Sequence, residues 1–213
     1  MKTKDKIVFT ALELFNQQGE RNITTNHIAA HLAISPGNLY YHYRNKQEIV
    51  RAIFKLYSSE LLERFTPPYG EQESLALLKQ YLDSIFTLMW KYRFFYINLP
   101  EILRRDEQLH QEYIEVQQKL RDNLVKIINT FVEMDLLAVS PEQMNSFVTT
   151  LHMITSSWLN YQSSLAPAEL VTEDVVHKGI LQMISVVKPK ATEKGIEQFQ
   201  LLEEGIKAMH PGL

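Results

Sequence analysis

The sequence has no cysteine, only 7 glycines, and no long apolar run. Without cysteine there are no disulfides, no thiolate zinc sites and no cysteine nucleophiles, and a reducing cytoplasm suits the chain. No stretch approaches the roughly 18–20 consecutive apolar residues of a membrane span, so no membrane partner is expected. The first residues, MKTKDKIVFTALELF, begin basic, but Asp5 and Glu13 interrupt them and no small-residue cleavage site follows. They do not read as a signal peptide, and a cytoplasmic protein is expected. The chain also lacks internal repeats, low-complexity tracts, a GxSxG elbow, a Walker loop and a GxGxxG turn, so neither an enzyme nor a bound cofactor is expected.

What is present is ordinary globular material. The chain has 213 residues, 45% of them hydrophobic and 22% charged, enough for one or two domains with a real core. The net charge of −3 hides a polarity. Residues 1–51 hold seven Lys and Arg against four acids, a net +3, and the remainder holds 15 against 21, a net −6. A small basic head on a larger acidic body argues against blanket coating of nucleic acid but suits a compact DNA reader.

Apolar positions recur at helical spacing nearly everywhere. Leu109, Tyr113, Val116, Leu120, Leu124, Ile127, Phe131 and Met134 fall at steps of three and four on one helical face. Ile7, Ala11, Leu14 and Phe15 do the same early in the chain, and Met144, Phe147, Leu151, Ile154, Trp158 and Tyr161 do so later. The predicted fold is all-α. Gly19 reads as a helix stop, Thr24 or Thr25 as a hydroxyl N-cap, and Ser35-Pro36 as a cap followed by proline at the first helical position. Asn45 caps a long helix over about 46–65, which Pro67-Pro68 ends; Pro100, Pro141, Pro167 and Pro189 mark later corners. The expected division is a head at residues 1–46 and a helical body at residues 47–213.

The informative segment is TTNHIAAHLAISPGNLYYHYRNK, residues 24–46. A short helix over about 25–32, a turn at Ala33-Ile34 and a second short helix over about 35–42 give helix-turn-helix spacing. Thr25 and Ser35 place hydroxyls and free amides at helix N-termini, where the dipole favours phosphate. Gly37 removes bulk for a close approach, and Asn38 can both donate to and accept from base edges. Tyr40, Tyr41 and His42 supply stiff groups for phosphate oxygens or a thymine methyl, and Lys46 stands at the next helix start for a phosphate. Composition alone leaves open an ordinary helical hairpin with surface tyrosines.

This block resembles the N-terminal DNA-binding domain of the TetR (TetR/AcrR) family of transcriptional regulators. The match runs from Ala11-Leu12-Glu13-Leu14-Phe15 and Gly19 through Thr24-Thr25, Ile28-Ala29, Ile34-Ser35, Gly37, Leu39-Tyr40-Tyr41-His42-Tyr43 and Asn45-Lys46, about 50 residues in order. The resemblance implies a recognition helix from Ser35 to His42. It implies base or methyl contacts from Pro36, Gly37, Asn38 and Tyr40, and phosphate contacts from Thr25, Asn26, Tyr41, His42 and Lys46. Two positions depart from the pattern: Ala33 stands where the family usually has glycine, and Tyr43 where phenylalanine is usual. Alanine is penalised if the turn needs a positive φ, and the Tyr43 hydroxyl needs water or a partner.

For the body, the resemblance implies a helical domain that binds a small molecule and forms a homodimer through two late helices. Residues 142–164 and 172–187 are the candidates; the alternative is that both wrap the protomer core. Half-sites one turn apart on double-stranded operator DNA require a two-fold partner. An adaptable apolar pocket is expected around Phe86, Met89, Trp90, Tyr92, Tyr96, His152, Trp158 and Tyr161, for an apolar or aromatic effector; the alternative is an aromatic core stripe. The expected function is a repressor released from its operator by that effector, with an activator or a ligand-independent regulator as the alternative. His27 and His31 have metal-compatible spacing, but HIAAH lacks the glutamate of HExxH and no third ligand is evident, so no metal site is expected.

Overall fold

The computed structural model describes residues 2–70, 72–167 and 169–210. Ten α-helices and two single 3-10 turns account for its regular elements, with no strand among the described residues. Helices α1 (Thr3–Gln18), α2 (Thr25–His31) and α3 (Pro36–His42) form the head, and α4 (Lys46–Arg64) leads out of it. The body comprises α5 (Ser74–Lys91), α6 (Arg93–Arg104), α7 (Glu107–Glu133), α8 (Pro141–Leu165), α9 (Glu173–Val187) and α10 (Glu193–Met209).

Local chemistry sets the head's boundaries. The Thr24 hydroxyl accepts from the His27 amide, and His27 Nδ1 accepts from the Thr24 amide, each at 3.3 Å, closing a capping box with histidine in the third position. Ser35 Oγ accepts from the Asn38 amide at 3.2 Å, with Pro36 at the first helical position. Asn45 Oδ1 accepts from the Glu48 amide at 2.9 Å to start α4. Between α2 and α3 the chain reverses in a Schellman turn. The Ile34 amide donates to the Ala29 carbonyl at 3.0 Å and the Ala33 amide to the Ala30 carbonyl at 3.1 Å. Ala33 sits at φ +53°, so the departure from glycine is tolerated as a left-handed alanine held by both bonds.

Ile7, Ala11 and Phe15 of α1, Ile28 of α2, Leu39 of α3 and Ile49 and Ile53 of α4 form the head's core. Burying Leu39 alone contributes about 1.5–3 kcal/mol and fixes α3 with its other faces outward. The Tyr43 ring is buried beside Lys4, whose ammonium lies 5.5 Å from its centroid.

In the body, α8 and α9 pack against each other, α6 lies on α8, and α5 on α9. The α8–α9 crossing is close because Gly179 has no side chain: a Cβ there would stand 2.5 Å from the Trp158 ring, whose Nε1 donates to the Val175 carbonyl at 2.7 Å. One sequence expectation changes here. Pro100 lies inside α6 and does not mark a corner; the breaks fall instead at Tyr92 and at Arg105-Asp106. The large apolar residues of α8 and α9 mostly face inward, with Phe147, Leu159, Val176, Ile180 and Ile184 buried in the protomer. The outward stripe of α8 is Thr150, Met153, Ser157, Tyr161 and Ser164.

Candidate nucleic-acid interface and internal cavity

Helix α3 presents Pro36, Gly37, Asn38, Tyr40 and Tyr41 to solvent, with Ser35 at its cap and His42 half-buried at its end. Tyr41 is 85% exposed, far more than a core tyrosine, and its ring stands edge-on to His42 at 5.1 Å. Tyr40 OH and Thr25 Oγ1 lie 3.1 Å apart, so the start of α2 and the middle of α3 share one polar surface. Asn26 is exposed beside them. The face therefore carries an amide, two phenols and hydroxyls with no bulk at Gly37, a set able to meet base edges and phosphate oxygens.

Lys46 is the exception. Its ammonium donates to the Glu20 and Ile23 carbonyls at 2.8 and 3.1 Å and pairs with Glu20 Oε1 at 2.9 Å. All three donors have partners inside the protein, so Lys46 clamps the turn after α1. Glu20 is 3% exposed, and its second oxygen takes Arg105 at 2.8 Å. Burial pushes the Glu20 carboxyl up, but its hydrogen bonds to Arg105 and Lys46 outweigh that and hold it below the usual range. The next residue after Arg105 makes a parallel tie: Asp106 takes Arg51 of α4 at 2.6 and 2.8 Å, and also caps α7 through the Leu109 amide at 3.1 Å. The α6–α7 corner thus grips the head with Arg105 and α4 with Asp106.

Inside the body lies a cavity of about 130 Å³. Its wall includes Tyr57 and Leu61 of α4, Met89 of α5, Tyr96 of α6, Gln117 of α7 and His152 of α8. Of the expected pocket residues, Met89, Tyr96 and His152 line it. The other five do not, each for a visible reason. Phe86 stacks on His177 at 4.4 Å. Trp90 lies under the Arg93 guanidinium at 4.1 Å. Tyr92 is fully buried and donates to Glu60 Oε2 at 3.0 Å, tying the α5–α6 break to α4. Trp158 fills the space over Gly179, and Tyr161 stays exposed beside it. The phenols of Tyr57 and Tyr96 pair at 3.2 Å, and burial pushes both well above the usual tyrosine value. Burial and then the Arg121 charge push His152 below the usual histidine value, so its ring is neutral at neutral pH. Sequence reasoning missed Gln117, although a signal existed: it falls between Tyr113 and Leu120 on the apolar face of α7, the one amide in that stretch of the stripe.

The family model described as "Bacterial regulatory proteins, tetR family" matches residues 7–53, and one described as "Bacterial transcriptional repressor" matches residues 56–199. The chain belongs to the TetR family. A solved TetR-family regulator from Marinobacter aquaeolei VT8 is 36% identical, covers 97% of this chain and 99% of its own, and superposes with a TM-score of 0.85. Among curated TetR-family relatives, the biofilm-operon negative regulator IcaR of Staphylococcus epidermidis is 31% identical over 127 residues, 58% of this chain and 68% of IcaR. SmeT of Stenotrophomonas maltophilia, the repressor of a multidrug efflux pump, is 17% identical with a TM-score of 0.62 over 91% of this chain and 92% of its own, a likeness of fold. The head with its helix-turn-helix followed by a larger helical body is thus the family's architecture, and this chain is a transcriptional regulator. Among its described residues no helix is long and apolar enough to cross a membrane.

Proposed function

We propose that this chain acts in the cytoplasm as a homodimeric repressor on a near-palindromic operator and is released by a small molecule held in the body. Residues 1–46 are the DNA-binding head and 47–213 the regulatory and dimerisation body. Thr25, Asn26, Ser35, Pro36, Gly37, Asn38, Tyr40, Tyr41 and His42 make the DNA contacts, with Asn38 and Tyr40 central to sequence choice. The dimer forms through α8 and α9, presenting the stripe of Thr150, Met153, Ser157, Tyr161 and Ser164. SmeT, which shares this fold, is known as a complex with triclosan.

The observation that supports release is the place of the α6–α7 corner. Helices α6 and α7 wall the cavity through Tyr96 and Gln117, and the corner between them holds Glu20 of the head and Arg51 of α4. Helix α4 itself walls the cavity at Tyr57 and Leu61 and begins at the head's Lys46 clamp. A ligand that parts these helices moves the corner and shifts the spacing of the two heads; by linkage, operator DNA weakens the ligand by the same factor. Binding of the purified protein to fragments of its upstream DNA tests the reading. Salt-sensitive, sequence-selective binding by a dimer supports it, and operator affinity unchanged by every ligand that enters the cavity rejects the release mechanism.

A further inference from the structure

We propose that the cavity takes an uncharged single-ring molecule bearing one hydroxyl, a phenol, whose proton is donated to the Gln117 amide oxygen. This rests on the reading of the cavity as the effector site and adds the chemistry of its occupant.

Size limits the ligand first. The space is about 130 Å³, and an engineered apolar cavity of roughly 150 Å³ holds benzene, so one ring fits without rearrangement of the wall. Charge limits it next. Among the described residues, the wall contains no Asp, Glu, Lys or Arg. An ionised ligand would enter without a counter-charge, the most unfavourable way to bury a charge. His152 does not supply one, since burial and Arg121 both disfavour its cation.

The hydroxyl follows from one orphaned atom. Gln117 Oε1 is sealed from solvent and has no hydrogen-bond partner among the described residues. Several other polar oxygens of the wall already have a partner within the protein. Tyr57 and Tyr96 pair with each other, the Tyr81 phenol donates to the Thr66 carbonyl at 2.9 Å, and Thr155 Oγ1 bonds the Leu151 and His152 carbonyls at 3.1 Å each. Ser156 turns back to the Met153 carbonyl at 3.4 Å. A buried acceptor without a donor is unfavourable, and a ligand that brings a donor removes the deficit. The neutral imidazole of His152 offers the ligand oxygen a second partner, since one of its ring nitrogens carries a proton.

The test is calorimetric titration of the full chain with four probes of one size: p-cresol, toluene, benzoate and benzylammonium. The expected result is binding of p-cresol about tenfold tighter than toluene, with neither ion binding. Gln117→Met, near in length and lacking the amide, is expected to bring p-cresol down to toluene while toluene is unchanged; unaltered toluene binding also shows that the variant is folded. Equal affinity of p-cresol and toluene in the parent chain overturns the hydroxyl's role and leaves the cavity reading standing. Tighter binding of either ion overturns the neutral class. If no probe binds while the same preparation binds operator DNA, both this proposal and the effector-site reading fail, and the DNA-binding head is untouched.

Discussion

Lys46 and Glu20 are joined twice: the ammonium lies 2.9 Å from a carboxylate oxygen and 2.8 Å from the main-chain oxygen of the same residue. The pair closes the head's turn against the start of α4, and Arg105 extends it to the body. Lys46→Ala leaves a buried carboxylate with one partner and should lower stability by about 1–3 kcal/mol. Thermal unfolding reads the loss. The slope of log affinity against log salt for operator DNA should not change, whereas a fall of about one would return Lys46 to the phosphate backbone.

The same site gives a pH dependence. The folded-state value of Glu20 is depressed, so its contribution is present above the ordinary carboxylate range and is lost as pH falls toward the folded value. Asp106 behaves alike: burial pushes its carboxyl up, but its hydrogen bonds to Arg51 and the Leu109 amide hold it lower still. Stability should drop on acidification, and a Glu20→Gln variant should show a shallower drop than the parent chain. Parallel acid curves for the two would remove Glu20 from the account.

Ala33→Gly should stabilise the head. A left-handed alanine is strained by about 1–2 kcal/mol, and the freer unfolded state of glycine offsets part of the gain, leaving about 0.5–1 kcal/mol. A higher melting temperature with intact operator binding is expected; a lower one would mean that the turn carries no strain.

Tyr40→Ala should weaken operator binding by about 1–3 kcal/mol and relax sequence preference, since it removes a phenol from the centre of the exposed face. Tyr40→Phe isolates the hydroxyl that meets Thr25 at 3.1 Å. Competition binding against operators altered at single base pairs separates loss of affinity from loss of preference.

Gly179→Ala tests the assignment of Trp158. An added methyl meets the indole at 2.5 Å and should lower stability by about 1–3 kcal/mol through overpacking at the α8–α9 crossing. Affinity for a cavity ligand should hold, because neither residue lines the cavity. A large loss of ligand binding in a folded variant would put Trp158 back in the effector site.

The head was legible in the sequence because its signals are local. Caps at Thr24, Ser35 and Asn45 act within three residues, and the apolar spacing of Ile28 and Leu39 fixes which faces turn inward. The Lys46 clamp was not legible because its partners are distant: Glu20 lies 26 positions back, and Arg105, which shares that carboxylate, 85 positions beyond it. The aromatic run from Phe86 to Tyr96 misled for a different reason. Periodicity shows that such side chains are buried, but not whether they meet empty space or a neighbour. Tyr92 meets Glu60, Phe86 meets His177, and only Met89 and Tyr96 of the expected residues in that run reach the cavity. Pro100 reads as a corner in the sequence, but α6 runs through it.

The most direct test of the central claim is selection of binding sites from random duplex DNA by the purified full chain. The account predicts enrichment of one near-palindrome, with half-sites separated by about one or more helical turns, bound as a dimer and lost steeply with salt. No enriched sequence, with binding no tighter than to random DNA, would contradict it.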